Sequence, residues 1–474
     1  MTKNSFYWLW IVAVALIGAM SATSCIHDDF TTSPSDVLAF SVDSVKFDTV
    51  ITAMGTPTKQ FVVYNRSKKQ INISSIKIES NDGTGAHFYL NVDGMKGSEF
   101  HDVEIRGEDS IFVFVESVVD ATGLDEPLEV KDRIEFVTNG VTQTLAVTAW
   151  GQDVNILADA TIAASTTFSD KKPYVIYDTL RVAKGATLTL SPGTRLLFHD
   201  KAALKVEGRL LAQGSREQPV EFRGDRLDRV VGMFSFDIMS GQWGGVYFEP
   251  GSTGNEMSYV NMRGSRNGVV VVGNNPTLRS LHLFNSVLRN SASTVLMAVN
   301  ARVEAEGTEL SDAAGSIFAV MAGRVHFVNC TLANYYLFAA LEDPILSVFL
   351  QDDDKTLAPL QAQFDNCIFY GNIEELNIGD FTGNDVYLRN CLFKSAGTDD
   401  DNFISCKWGA DPKFFTEREK YIFDYRLRNT SDAIAAGNRS LCPASARYDR
   451  YGQDRWARDG IDIGAYVWVP QNEE

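Results

Sequence analysis

Basic residues are scarce in this chain: 43 Lys and Arg stand against 61 Asp and Glu in 474 residues, a net charge of −18. No basic arm or patch interrupts that balance, which argues against nucleic acid as a partner. Glycine (36) and proline (13) are spread thinly and build no low-complexity tract, so the chain reads as folded throughout. Several motifs are missing as well. There is no phosphate-binding glycine loop, no Gly-x-Ser-x-Gly elbow in a strand–turn–helix setting and no zincin helix. Nor is any stretch apolar over the roughly 20 residues that a spanning helix needs. The longest such run, Phe6 to Met20, has the length of a signal-peptide core.

What the chain does have is a repeat. Six stretches anchored at Met262, Ser286, Thr308, Cys330, Cys367 and Cys391 superpose at steps of 24, 22, 22, 37 and 24. Asn261, Asn285, Gly307, Asn329, Asn366 and Asn390 sit one place before each anchor. A unit this short cannot bury its own apolar face, so copies must stack into a solenoid. Uneven steps, short strands and corner asparagines suit a β-helix better than a leucine-rich repeat. Three and five places before the anchors run Tyr259, Leu283, Ala305, Phe327, Phe364, Leu388 and Met257, Leu281, Val303, Val325, Ala362, Val386. These apolar positions, an even number apart, share the inside face. The corner asparagines are expected to stack as an internal ladder, each amide bonding the coil above. The step of 37 calls for a loop of about a dozen extra residues between Ala340 and Leu360. Upstream, Leu180-Arg181-Val182 is echoed by Leu204-Lys205-Val206, and Leu196 and Phe198 by Val220 and Phe222, then by Val246 and Phe248. Gly185 to Thr194, Val206 to Gly214 and Trp243-Gly244-Gly245-Val246 resemble the opening coils of right-handed parallel β-helices with pectate-lyase-like repeats.

Ahead of the repeat, Gln60 to Tyr64, Ile71-Asn72-Ile73, Ser110 to Val115 and Thr144 to Ala149 alternate with period two. Turn signals at Asn65-Arg66-Ser67, Asn81-Asp82-Gly83, Asp93-Gly94 and Asn139-Gly140 separate them, the pattern of an antiparallel β-sandwich. Phe47 to Val50, Asn91 to Gly94, Phe136 to Gly140 and Trp150 to Asp153 resemble an Ig-like module at the front of surface lipoproteins, which implies a spacer. Ser21-Ala22-Thr23-Ser24 followed by Cys25 resembles a bacterial lipobox, which implies cleavage before Cys25 and lipidation of its thiol. The acidic Ile26-His27-Asp28-Asp29-Phe30 resembles the tag that sends lipoproteins to the outer face of the outer membrane. At the other end, Asp411-Pro412 through Leu427, Ser431 to Gly437 and Asp462-Ile463-Gly464-Ala465-Tyr466 resemble a C-terminal segment that follows β-helix repeats. Asp449, Asp454 and Arg455 loosely match its acidic residue and arginine, and the segment is expected to cap the solenoid end. The chain therefore divides into a lipoprotein signal (1–24), a tether (25–36), an Ig-like sandwich (37–153), a right-handed parallel β-helix (154–400) and a cap segment (401–474): an all-β protein.

Chemistry is expected on the outward positions. The register stacks His282, Glu304 and His326 on successive coils, with Glu306 beside Glu304 and an Asp365–Arg389 pair further along. In a lyase, His326 would take the proton and Arg389 neutralise a uronate; in a hydrolase, Glu304 and Asp365 would be the two carboxylates. The plain alternative is a polar face laced by cross-strand charge pairs. The two histidines lie two coil spacings apart, about 10 Å, too far for one zinc. No cofactor is expected; the triplet Asp352-Asp353-Asp354 is the calcium candidate, as is Asp399-Asp400-Asp401. Cys330, Cys367 and Cys391 face inward as small core residues. Cys406 and Cys442 are candidates for a disulfide closing a loop worth about 4 kcal/mol. Trp243, Trp408 and Trp456 are candidates for stacking on sugar rings. Two functional classes stay open: a lipid-anchored surface module binding polysaccharide or another surface protein, and a polysaccharide lyase or glycoside hydrolase on the same scaffold.

Overall fold

A computed structural model describes residues 29–52, 54–55, 58–78, 86–227, 229–230, 234–349, 357–378 and 385–472. Cys25, the leader before it and the Asp352–Asp354 triplet lie outside the described residues. The chain forms two compact units, Met1–Asp153 and Val154–Glu474. Among the described residues there is no α-helix, only strands and short 3-10 turns.

The first unit is a sandwich of two five-stranded sheets. One runs Leu38–Phe40, Lys59–Asn65, Ser110–Val119, Ala86–Val92, Met95–Gly97; the other Ser44–Ile51, Val141–Gln152, Leu128–Thr138, Ile71–Ile78, Glu99–Ile105. Period-two patterning sends Phe61, Val63, Val113 and Val115 from one sheet and Ile73, Ile134, Phe136 and Val147 from the other into a shared core. Asp93-Gly94 and Asn139-Gly140 take positive φ at both residues, the twist that a two-residue hairpin needs. One pair departs from the antiparallel expectation: Ser44–Ile51 runs parallel to Val141–Gln152, with a bulge between Thr148 and Trp150. Leu38–Phe40 and Ser44–Ile51 belong to opposite sheets. The chain thus crosses between them and enters the second at its edge, where parallel pairing costs little.

The second unit is a parallel β-helix whose strands stack in three faces. Coiling begins at Asn155–Ile162, which pairs with Tyr174–Val182, earlier than the repeat near Leu180. On one face Leu190, Ala212, Met257, Leu283, Ala305, Phe327, Phe364, Leu388 and Phe403 occupy one inward column. Corrections attach to the early coils. Met262 pairs with Leu288 and Met257 with Leu283, a step of 26, so the first anchor lies two residues too late. Likewise Leu196 pairs with Phe222, while Val246 and Phe248 follow Leu204 and Val206 on another face. A two-residue slip leaves strand alternation unchanged, which is why the apolar pattern does not expose it. The true corner of the first coil is Tyr259 (φ 49°), in line with Asn285, Gly307, Asn329, Asn366 and Asn390, all between 45° and 57°. Such left-handed corners favour Asn and Gly. The long step is not one loop: its extra length is divided around the strand Leu346–Phe349, which pairs with Phe318–Met321.

The segment 401–474 covers the end of the solenoid with its first residues and the flank with the rest. The last coil is covered by Trp408, stacked on Phe393 at 4.7 Å and near Phe403 at 5.2 Å. Residues 411–472 then double back as a strap along the flank of the solenoid. Ala333, Ile368 and Leu392 on the coils share a core with Phe414, Tyr425, Leu427, Ile463, Ala465 and Tyr466 on the strap. Three corner amides serve this strap: Asn285 Nδ2 donates to Tyr448 O, Asn329 Nδ2 to Asp462 O and Asn366 Nδ2 to Asn438 O. Among the described residues only Asn285 also bonds a neighbouring coil's corner, at Tyr259 Oη. A left-handed corner turns its amide sideways toward whatever covers the flank, and here another backbone supplies the partners that burial demands.

The three in-register cysteines are free and buried, with thiols pushed upward by burial. Cys406 and Cys442 are also free, which corrects the proposed disulfide. Cys406 packs under the last coil against Leu388 O, whereas Cys442 packs in the strap with Ala446 and Ile461. Trp243 is not a surface aromatic: it is fully buried and stacks on Phe198 at 4.2 Å.

Candidate functional site

The register brings His282, Glu304 and His326 into one outward column, and Glu306, Val328, Asp365 and Arg389 into the next. Each candidate, however, is engaged by a neighbour. Arg389 grips Asp365 with two bonds, Nε to Oδ1 at 2.6 Å and Nη2 to Oδ2 at 2.7 Å. His326 Nε2 lies 2.9 Å from Asp365 Oδ2. Burial opposes ionisation of Asp365, but His326 and Arg389 outweigh it and hold the carboxyl below the usual range. Glu304 accepts from Arg302 at 2.9 and 2.6 Å and from Arg279 at 3.2 Å, which outweigh burial in the same way. Arg279 also reaches Glu256 at 3.5 Å. His282 Nε2 is 3.6 Å from Glu306 Oε1, an ion-pair distance. The column is a charge ladder running across coils. Its one half-exposed titratable group with a buried carboxylate behind it is His326. Among the described residues no cluster of His, Cys, Asp and Glu is arranged to hold a metal ion.

A second site lies under the strap. A cavity of about 400 Å³ opens between the strap's Asp424, Arg450, Tyr451 and Tyr466 and the coils' Arg289 and Glu309, within the size range of ligand pockets. Arg263 and Arg289 occupy equivalent outward positions on successive coils. Arg263 is spent on Glu221 and on Asp237 at 3.0 Å. Glu309, on the floor, is buried and receives the Tyr466 and Ser311 hydroxyls. Asp424 is gripped by Arg426. Sequence reasoning did not find this site. The two-residue slip set Arg263 against Val287 and so concealed the arginine pair, while Arg450, Tyr451 and Tyr466 arrive from the strap, far along the chain.

Beside the cavity Asp312 is fully buried, accepting from Tyr425 Oη at 2.5 Å and Tyr335 N at 3.0 Å, with Oδ2 unpartnered among the described residues. Burial pushes its carboxyl up to about 6, against those two bonds. Because the folded value lies above the unfolded one, its contribution is complete below pH 3.8 and is lost as pH rises through about 6. The loss is about 3 kcal/mol. Asp312→Asn keeps the acceptor, suits the left-handed backbone (φ 58°) and cannot ionise. Its melting temperature relative to the wild type should therefore rise between pH 4 and pH 7.5. An unchanged difference across that window contradicts the assignment.

No protein-family description matches this chain, and no curated protein matches it. A structural comparison finds similarity to a family 123 glycoside hydrolase from Clostridium perfringens, solved in a study of glycolipid glycan hydrolysis. Identity is 7% over 25% of this chain and 26% of that one, with a TM-score of 0.17. The chain spans about a quarter of that enzyme's length, and a likeness this slight carries no argument about activity.

Proposed function

We propose that this protein is a non-catalytic binding module for glycan or another surface component. In this reading Cys25 carries the lipid anchor at the outer membrane, and the sandwich, Ig-like in kind, spaces the solenoid from the surface. One observation carries the non-catalytic part. The groups best suited to acid–base work on the polar face are engaged by one another, so Arg389 is already paired bidentately with the Asp365 carboxylate and Glu304 is held by two arginines. Lyase or hydrolase action would require those bonds to break before substrate is met. The second reading, an enzyme on the same scaffold, draws on His326, whose imidazole is held by Asp365 and is half-exposed. The two separate in one assay: full-length protein with a polysaccharide panel, with and without calcium, followed by affinity electrophoresis and mass spectrometry of products. Retention without product is expected, and His326→Ala should leave retention unchanged. Unsaturated or saturated oligosaccharide products that vanish in His326→Ala would sink the binding reading.

A further inference from the structure

Many arginines of the solenoid unit are paired with acids, while others, such as Arg324 and Arg455, donate to neutral oxygens. Arg279, Arg302, Arg389, Arg426, Arg447 and Arg458 each hold a carboxylate. Two arginines that face the cavity under the strap are of the second kind. Arg450 donates from Nη1 to Asn285 O at 3.0 Å and from Nη2 to Asn261 Oδ1. Arg289 reaches only Phe423 O, at 3.4 Å. Among the described residues neither is ion-paired to a carboxylate. Guanidinium has five donors in a planar fork, so both retain uncommitted hydrogens beside one open cavity. The opposing charge on the floor, Glu309, is already occupied by Tyr466 and Ser311. Beside the arginines, Tyr451 is half-exposed and lies 5.7 Å from Tyr466, centroid to centroid.

We infer that this cavity is a binding site for an acidic saccharide, with Arg289 and Arg450 taking the carboxylate and Tyr451 offering its ring to the pyranose face. Planar forks match a carboxylate bidentately, and a flat aromatic beside them suits the apolar face of a sugar ring better than it suits a bare inorganic anion. The inference rests on the binding reading for its choice of a glycan ligand, but it places that ligand under the strap and away from the histidine face.

The test is titration calorimetry of full-length protein with a galacturonate trisaccharide, its carboxyl-reduced neutral counterpart, inorganic sulfate and inorganic phosphate. Arg289→Gln is the main variant, because it removes only one long bond from the fold. Arg450→Lys is the second, keeping the charge while losing the fork, with melting temperature as the control for the strap. The trisaccharide should bind, and each variant should weaken it about tenfold or more, as expected when a charged hydrogen bond is lost. The neutral counterpart and the inorganic anions should bind far more weakly. Acidic and neutral sugars held alike, sulfate or phosphate held as well as the trisaccharide, or wild-type affinity in both variants would overturn the site. So would an absence of binding by the trisaccharide. Glycan retention that is untouched by Arg289→Gln leaves the binding reading standing and removes this one. Product formation together with loss of affinity in Arg289→Gln does the reverse.

Discussion

Replacing Arg455 with alanine should lower the stability of the solenoid unit by about 3–5 kcal/mol, with the strap released first. Arg455 is buried within the strap and donates to three backbone carbonyls: Ala446 O at 3.1 Å, Gly464 O at 3.0 Å and Ala465 O at 2.6 Å. Alanine leaves all three acceptors inside, and each orphaned buried acceptor costs about 1–3 kcal/mol, less than additively. The cost of burying the cation offsets part of this, since burial lowers the guanidinium pKa and Asp449 only partly restores it. Asp449 works on the same knot, accepting from Val467 N, Tyr451 N and Gln453 N. These contacts bind the Ile-Gly-Ala-Tyr stretch at the point where Ala465 N donates to Thr331 Oγ1 on a coil and Gly464 N to Asn366 O. Urea denaturation reads the total loss, and limited proteolysis with mass spectrometry reads where cutting begins. A loss under about 1 kcal/mol, or first cuts outside residues 411–472, would refute this role.

Phe364→Ala should be equally severe, at about 3–5 kcal/mol, for an unrelated reason. Phe364 is fully buried in the inward column between Phe327 and Leu388. Its ring lies 5.3 Å from Phe327, 5.5 Å from Phe369 and 6.2 Å from Phe318. Stacked coils are held at a fixed spacing by their backbone ladders, so they cannot close on the cavity left behind. The neighbouring outward residue is the control. Gln363→Ala should change stability by no more than about 0.5 kcal/mol, because it lies on the partly exposed side of the same strand. Equal losses at the two positions would mean that the inside and outside faces have been exchanged.

The coils were legible in the sequence because alternation and period coincide. Leu281/Leu283, Val303/Ala305, Val325/Phe327, Ala362/Phe364 and Val386/Leu388 all point inward at the spacing at which the strands pair. The same steps put His282, Glu304 and His326 in one column. Their partners were less visible: Arg279 lies outside any strand and reaches its carboxylates across coils. Register within the early coils was not legible, since a slip of two preserves the alternation along each strand and shows only at the corner, where Tyr259 leaves the inside face. The strap was legible as a segment but not as a position. An Asn that turns its amide to the coil above and one that turns it to a returning backbone are the same letter. What distinguishes them is where residues 411–472 travel, and nothing in their alternation records that. The cavity follows from the strap, so it was hidden with it.

The most direct measurement is hydrogen exchange of the full-length protein with and without the galacturonate trisaccharide. Protection should appear in peptides covering 261–263, 287–289, 423–425 and 450–451, where coil and strap meet around Arg289 and Arg450. Peptides over 304–306, 326 and 385–389 should exchange as before. Protection confined to those latter peptides would place the ligand on the histidine face and contradict the account.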